Sequence, residues 1–233
     1  MPFALEEELC EILSEKLDAR ALRRKRPHTT LQLRERSVGG TIPDYIFVSA
    51  AQKVKHGPQP PSGCTNLESW IIATLIGSPL HGEALAERLF TRLERLIPSL
   101  LSLRRFGVIR ELDSGEFAIT RSALPRGTHV IAIEAKLRRW RQAVQQAAAY
   151  LRFANQSYVA LPTSVIEKNP RVIDECAQKR LGLIGVDREA VTVIRLAPII
   201  HTRSPEWVWL VSRAVGVGCS SPRLVASQTL LRR

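Results

Sequence analysis

The sequence predicts an α/β domain, a mixed central sheet flanked by helices, with a compact helix-rich unit inserted into it. Three observations carry that reading. The run His129-Val130-Ile131-Ala132-Ile133 is apolar on both faces, as a central strand requires, and ends in Glu134-Ala135-Lys136. A helix-period stripe follows it directly. Upstream, about 80 residues separate this run from an earlier strand pair, and the separation includes His56-Gly57-Pro58-Gln59-Pro60-Pro61-Ser62-Gly63, which suits neither helix nor central strand.

Residues 3 to 22 read as a helix, with Leu5, Leu9, Ile12, Leu13 and Leu17 on one stripe and Glu6, Glu7, Glu8, Glu11 and Glu15 around it. The basic run Arg20, Arg23, Arg24, Lys25, Arg26 follows, and Pro27 stops the helix. Residues 29 to 36 alternate as a half-buried strand, and Gly39-Gly40 turns the chain into a second strand, Ile42-Pro43-Asp44-Tyr45-Ile46-Phe47-Val48. Pro43 lacks a ladder donor and suits a strand start, so Asp44 belongs at the rim of the sheet.

After the Pro-rich segment, helices are expected near 67–76, 82–90 and 92–105, then strands at 107–112 and 116–120 about an Asp113-Ser114-Gly115 turn. Pro98 is expected to interrupt the third helix. Beyond the Glu134-x-Lys136 strand, residues 137–153 read as a helix burying Trp140, Ala143, Val144, Ala147, Ala148 and Leu151, with Gln142, Gln146 and Tyr150 on a neighbouring stripe. A strand at 157–162, a polar helix at 170–180 and strands at 182–186 and 191–196 complete the sheet pattern. Ser204-Pro205 opens either a helix or, at 207–211, a short apolar strand. The expected organisation is a core at 1–53 and 126–215, a linker at 54–64, an inserted unit at 65–125 and a tail at 216–233.

Pro43-Asp44, then Glu134-x-Lys136, then Gln146-x-x-x-Tyr150 on the next helix together resemble the PD-(D/E)xK nuclease superfamily, the restriction-endonuclease-like fold, over about residues 1 to 50 and 126 to 200. Three helices and a β-hairpin in that order resemble a winged-helix domain, whose third helix enters the DNA major groove. The resemblance implies a first-helix glutamate at the active site, for which Glu8 is the best placed. In that family the Glu-x-Lys strand follows the hairpin after a short connection, so the intervening unit is an insertion.

Two carboxylates at the ends of adjacent strands, Asp44 and Glu134, with the Ala135 carbonyl, would form a hard oxygen site suited to Mg²⁺ or Mn²⁺. Lys136 would orient or deprotonate the attacking water and offset phosphate charge. Gln146 would hold that water or a phosphate oxygen, and Tyr150 would fix the helix against the site or touch the backbone.

The chain has 233 residues and a formal charge of +12, with Arg far outnumbering Lys, which favours a polyanionic partner and DNA over RNA. Arg23, Arg24, Arg92, Arg95, Arg104, Arg105, Arg138 and Arg139 are the expected phosphate contacts. Four cysteines without Cys-x-x-Cys pairs argue against a zinc ribbon or disulfide framework and fit the cytoplasm. No apolar run approaches a membrane span. The expectation is a metal-dependent nuclease, with a non-catalytic DNA-binding regulator or assembly subunit as the alternative; double-strand cleavage with one site per chain would suit a homodimer, or a place in a larger defence or repair complex.

Overall fold

The computed structural model describes residues 3–17, 22, 29–50, 63–120, 123 and 127–217. The basic run at 23–26, including Arg23 and Arg24, lies outside the described residues, as does most of the Pro-rich segment. The described strands are β1 (Thr29–Arg34), β2 (Tyr45–Ala50), β3 (Ile109–Glu111), β4 (Phe117–Ile119), β5 (His129–Ala135), β6 (Gln156–Pro162), β7 (Gly182–Val186) and β8 (Val191–Arg195). The helices are α1 (Glu6–Lys16), α2 (Asn66–Leu75), α3 (Gly82–Arg88), α4 (Leu93–Arg105), α5 (Trp140–Tyr150), α6 (Thr163–Lys168), α7 (Arg171–Gln178) and α8 (Pro205–Val217).

Six strands form one mixed sheet in the order β1-β2-β5-β6-β7-β8. The inner pairs β5–β6 and β6–β7 are parallel, while β1–β2, β2–β5 and β7–β8 are antiparallel. Parallel neighbours need a crossover, which α5 supplies between β5 and β6, and α6 with α7 supply between β6 and β7. Every residue of β5 and β6 is buried, so these apolar runs are covered by helices on both sides.

Strand alternation sorts the covering layers. Ile131, Ile133 and Ala135 face Leu9 and Leu13 of α1. Val130 and Ala132 face the other way, into a core shared with Tyr150, Phe153 and the α8 residues Trp207, Val208 and Val211. On that side α5 also buries Ala143, Val144 and Ala147 against Val159 and Leu161 of β6.

The segment between β2 and β5 holds α2, α3, α4 and the β3–β4 hairpin, in the predicted order. Thr65 and Glu68 make a capping box that starts α2. The helix packs along α8, so the apolar core runs without a break from Ile71 and Leu96 to Val48 of the sheet.

Several boundaries and one interruption differ from the sequence expectation. α1 spans Glu6–Lys16 and not 3–22: Leu5, 60% exposed, lies ahead of the first turn, and the backbone turns extended at Leu17, while Leu9, Cys10 and Leu13 are the helix's buried anchors. α4 continues through Pro98. The ring points to solvent and removes one N–H, while Leu96, Leu100 and Leu103 hold the helix to the core on both sides of it. The segment 205–217 is helical, not a strand: Ser204 Oγ accepts from Trp207 N at 3.2 Å as an N-cap, and Trp207, Leu210, Val211 and Ala214 are buried at helical spacing.

Candidate active site

The sheet register explains why residues far apart in sequence share one pocket. β2 pairs antiparallel to β5 up to Tyr45–Ile133. Continued by one residue, the register sets Asp44 opposite Glu134, and directly opposed side chains leave the same face of a sheet. Continued by two, it sets Pro43 opposite Ala135. There the ladder ends chemically: Pro43 has no N–H to give the Ala135 carbonyl. The Ala135 N–H donates instead to the Asp44 carboxylate, Oδ2, at 2.7 Å.

Glu134 is 1% exposed and both of its oxygens are held. The Tyr150 hydroxyl on α5 donates to Oε2, and Lys136 Nζ lies 3.0 Å from Oε1. Lys136 also lies 2.7 Å from Oε1 of Glu6. Just beyond the end of β5, then, its ammonium links α1 on one side of the sheet to the site on the other. Gln146 sits one turn ahead of Tyr150 on the same helix face, and its buried Oε1 has no hydrogen-bond partner among the described residues.

The electrostatics follow from this crowding. Burial raises the Glu134 carboxyl above its usual value and the nearby Asp44 charge raises it further, against the hydrogen bonds from Tyr150 and Lys136. Burial also raises Asp44, opposed by the Ala135 N–H and by Lys136. For Lys136 burial works against the charge, yet the bonds to Glu6 and Glu134 outweigh it and hold the amine protonated above its ordinary range. Two carboxylates that resist ionising beside each other present oxygen ligands that a divalent cation would suit. The Ala135 carbonyl, left without a ladder donor from Pro43, is a third oxygen at the same place. Among the described residues no group of three or more His, Cys, Asp or Glu side chains is arranged to hold a metal ion, so the third ligand here would have to be backbone or water.

Asp44, Glu134, Lys136 and Tyr150 are therefore brought together, with Gln146 one turn away. Glu8 is not among them. Its carboxylate accepts from Ala4 N at 3.1 Å and lies 3.3 Å from Arg188. Glu6 takes the position expected of Glu8, and the sequence carried the signal: Glu6 precedes Leu9, Cys10 and Leu13 at helical spacing and so shares their sheet-facing side, whereas Glu8 lies off it. Arg138 and Arg139 are exposed just after Lys136, at the start of α5. Arg92, Arg95, Arg104 and Arg105 are exposed on or beside α4, with Arg104 paired to Glu111 at 2.6 Å.

No protein-family model matches the chain, and no curated protein does either. A solved structure, a protein of unknown function from Silicibacter pomeroyi, is similar over 50% of this chain and 79% of its own, at 16% identity and a TM-score of 0.30. That likeness is too slight to carry an argument about fold or function. No helix among the described residues is long and apolar enough to cross a membrane.

Proposed function

We propose that the chain is a metal-dependent nuclease of PD-(D/E)xK type, acting on DNA, with a restriction-endonuclease-like core and a winged-helix unit between β2 and β5. The observation that carries this reading is the meeting of Asp44, Glu134 and Lys136 at the ends of two adjacent strands. Supporting it are an antiparallel hairpin, then the Glu-x-Lys strand, then a helix leading to a parallel strand, together with the tyrosine of that helix bonded to the strand's glutamate.

Asp44, Glu134 and the Ala135 carbonyl would hold Mg²⁺ or Mn²⁺, which when bound supplies an activated water and neutralises charge on the phosphate. The chain's own groups do the positioning. Tyr150 fixes one oxygen of Glu134 and so aims the other at the mouth of the site. Lys136 is held as an ammonium by its two carboxylates, so it is placed to donate hydrogen bonds to the attacking water or to a phosphate oxygen. The open Oε1 of Gln146 is an acceptor for a hydrogen of that water. Arg138 and Arg139, exposed just after Lys136, would offer guanidinium forks that match phosphate oxygens.

A cleavage panel over single- and double-stranded DNA and RNA, with Mg²⁺, Mn²⁺ or chelator, tests the reading. Cutting is expected with metal, none with chelator, and none by Lys136→Ala, which still binds the substrate. Binding should weaken steeply as salt rises. One observation favours a second reading, a non-catalytic DNA-binding regulator or assembly subunit: Tyr150 and Lys136 between them engage both oxygens of Glu134. Salt-sensitive binding without cutting on every substrate of the panel would establish that alternative.

A further inference from the structure

The chain's excess of basic residues does not extend to residues 63–120, the helices and hairpin between β2 and β5. Residues 63–120 contain six arginines against six glutamates and one aspartate. The inner face of α4 is anchored by Leu96, Leu100 and Leu103; its outer face carries exposed arginines toward the two ends, but in its middle Ile97 and Leu101 stand 44% and 59% exposed with Pro98 between them. They edge a cleft whose wall continues through Leu93 and Phe117. Phe90, in the turn leading into α4, is 98% exposed at a φ of 50°, a backbone conformation that bulky residues rarely adopt. An apolar face of this kind on a segment with almost no net charge fits a protein surface better than a nucleic-acid backbone.

The charges at its two ends identify which protein. Glu94, Ile97, Leu101 and Arg105 advance by three, four and four residues and form one stripe along α4. All four are exposed, and neither Glu94 nor Arg105 has an ion-pair partner among the described residues. The stripe is thus acidic at its start, apolar in its middle and basic at its end. Such a stripe complements itself when two copies run antiparallel about a two-fold axis.

We infer that α4 is a homodimer interface, in which two copies of the chain pair their α4 helices antiparallel across a two-fold axis near Pro98 and Leu101, with Glu94 of each copy beside Arg105 of the other. Over the eleven steps from Glu94 to Arg105 the helix rises about 16 Å, so both ion pairs and the apolar centre are engaged at once. Each contact occurs twice, which makes a charge reversal count double. The inference rests on α4 alone and is independent of the nuclease reading.

Sedimentation equilibrium on the full chain tests it with charge exchange. Wild type is expected to dimerise, Glu94→Arg and Arg105→Glu each to weaken dimerisation by about tenfold or more, and the doubly exchanged variant to recover most of that loss. Leu101→Asp should be monomeric, and Glu189→Arg, on the β7–β8 turn, unchanged. All four positions are solvent-facing, and matching circular dichroism and melting curves verify that each variant folds. A wild type that stays monomeric at about 100 µM, well above the range of typical specific affinities, overturns the interface. So does a dimer indifferent to Glu94→Arg, or a double exchange that fails to restore what the single changes lose.

Discussion

Tyr150 and Glu134 are joined by a buried hydrogen bond from the phenol to the carboxylate, between a helix and the central strand it covers. Tyr150→Phe keeps the ring that packs against Phe153 and removes only this donor. A buried carboxylate oxygen left short of a partner costs ~1–3 kcal/mol, which urea denaturation would register. Because the bond also favours the ionised carboxylate, its loss raises Glu134 further, and on the proposed nuclease reading the acidic limb of the cleavage pH profile should move to higher pH.

Asp44 gives a pH test of opposite sign in stability. Burial lifts its carboxyl above the ordinary 3.8, so the folded chain holds the proton more tightly than the unfolded one. The charge therefore costs no stability below the unfolded value and costs most once the pH has risen past the folded one. Asp44→Asn should melt higher than wild type near neutral pH, and the difference should vanish as the pH falls toward 3.8. Millimolar Mg²⁺ or Mn²⁺ should raise the melting temperature of wild type and leave that of the variant where it was.

Glu6 and Glu8 separate two accounts of α1. Glu6→Gln removes one of the two carboxylates holding Lys136, so its amine pKa should fall; on the proposed nuclease reading, cleavage should change in magnitude and pH dependence. Among the described residues Glu8→Gln disturbs Ala4 and Arg188, and on the proposed nuclease reading it should cut at the wild-type rate. Equal losses in both variants would point to a general effect of α1 charge and not to the Lys136 contact.

Gly182 supplies a stability test remote from the site. It pairs with Tyr158 across β6–β7, and a Cβ there would stand 2.2 Å from the ring and 3.0 Å from Ala197 N. The ring has little room to move: Gln156 Nε2 donates to its hydroxyl at 3.2 Å, and the hydroxyl donates to the Leu22 carbonyl at 3.4 Å. Gly182→Ala should destabilise by ~1–3 kcal/mol as overpacking, read as a lower urea midpoint with an unchanged slope.

Much of the fold was legible because its cues are local. The apolar runs at 129–135 and 156–162, the stripe of α5 and the turn at Gly39-Gly40 each declare an element through periodicity or punctuation within a few residues. The ends of α1 and the continuity of α4 were less legible. Periodicity marks a face, but how far a helix runs along its partner depends on which residues of that face find something to pack against. Tyr150 was expected to brace its helix against the site, and its bond to Glu134 depends on how α5 crosses β5, which no spacing within either element encodes.

The sequence by itself determined the strand carrying Glu134 and Lys136 on one face, the proline that denies its neighbour a ladder bond, and the helix placing Gln146 and Tyr150 four residues apart. These follow from the two-residue repeat of a strand, the chemistry of an imino acid and the pitch of a helix. Tertiary structure alone decided that Asp44 lies opposite Glu134, that Glu6 and not Glu8 reaches Lys136, and that Trp207 belongs to a helix sharing a core with α2. Those outcomes depend on registers and packing between segments remote along the chain, where the free energy of burying one surface against another selects among local choices that the residues leave open.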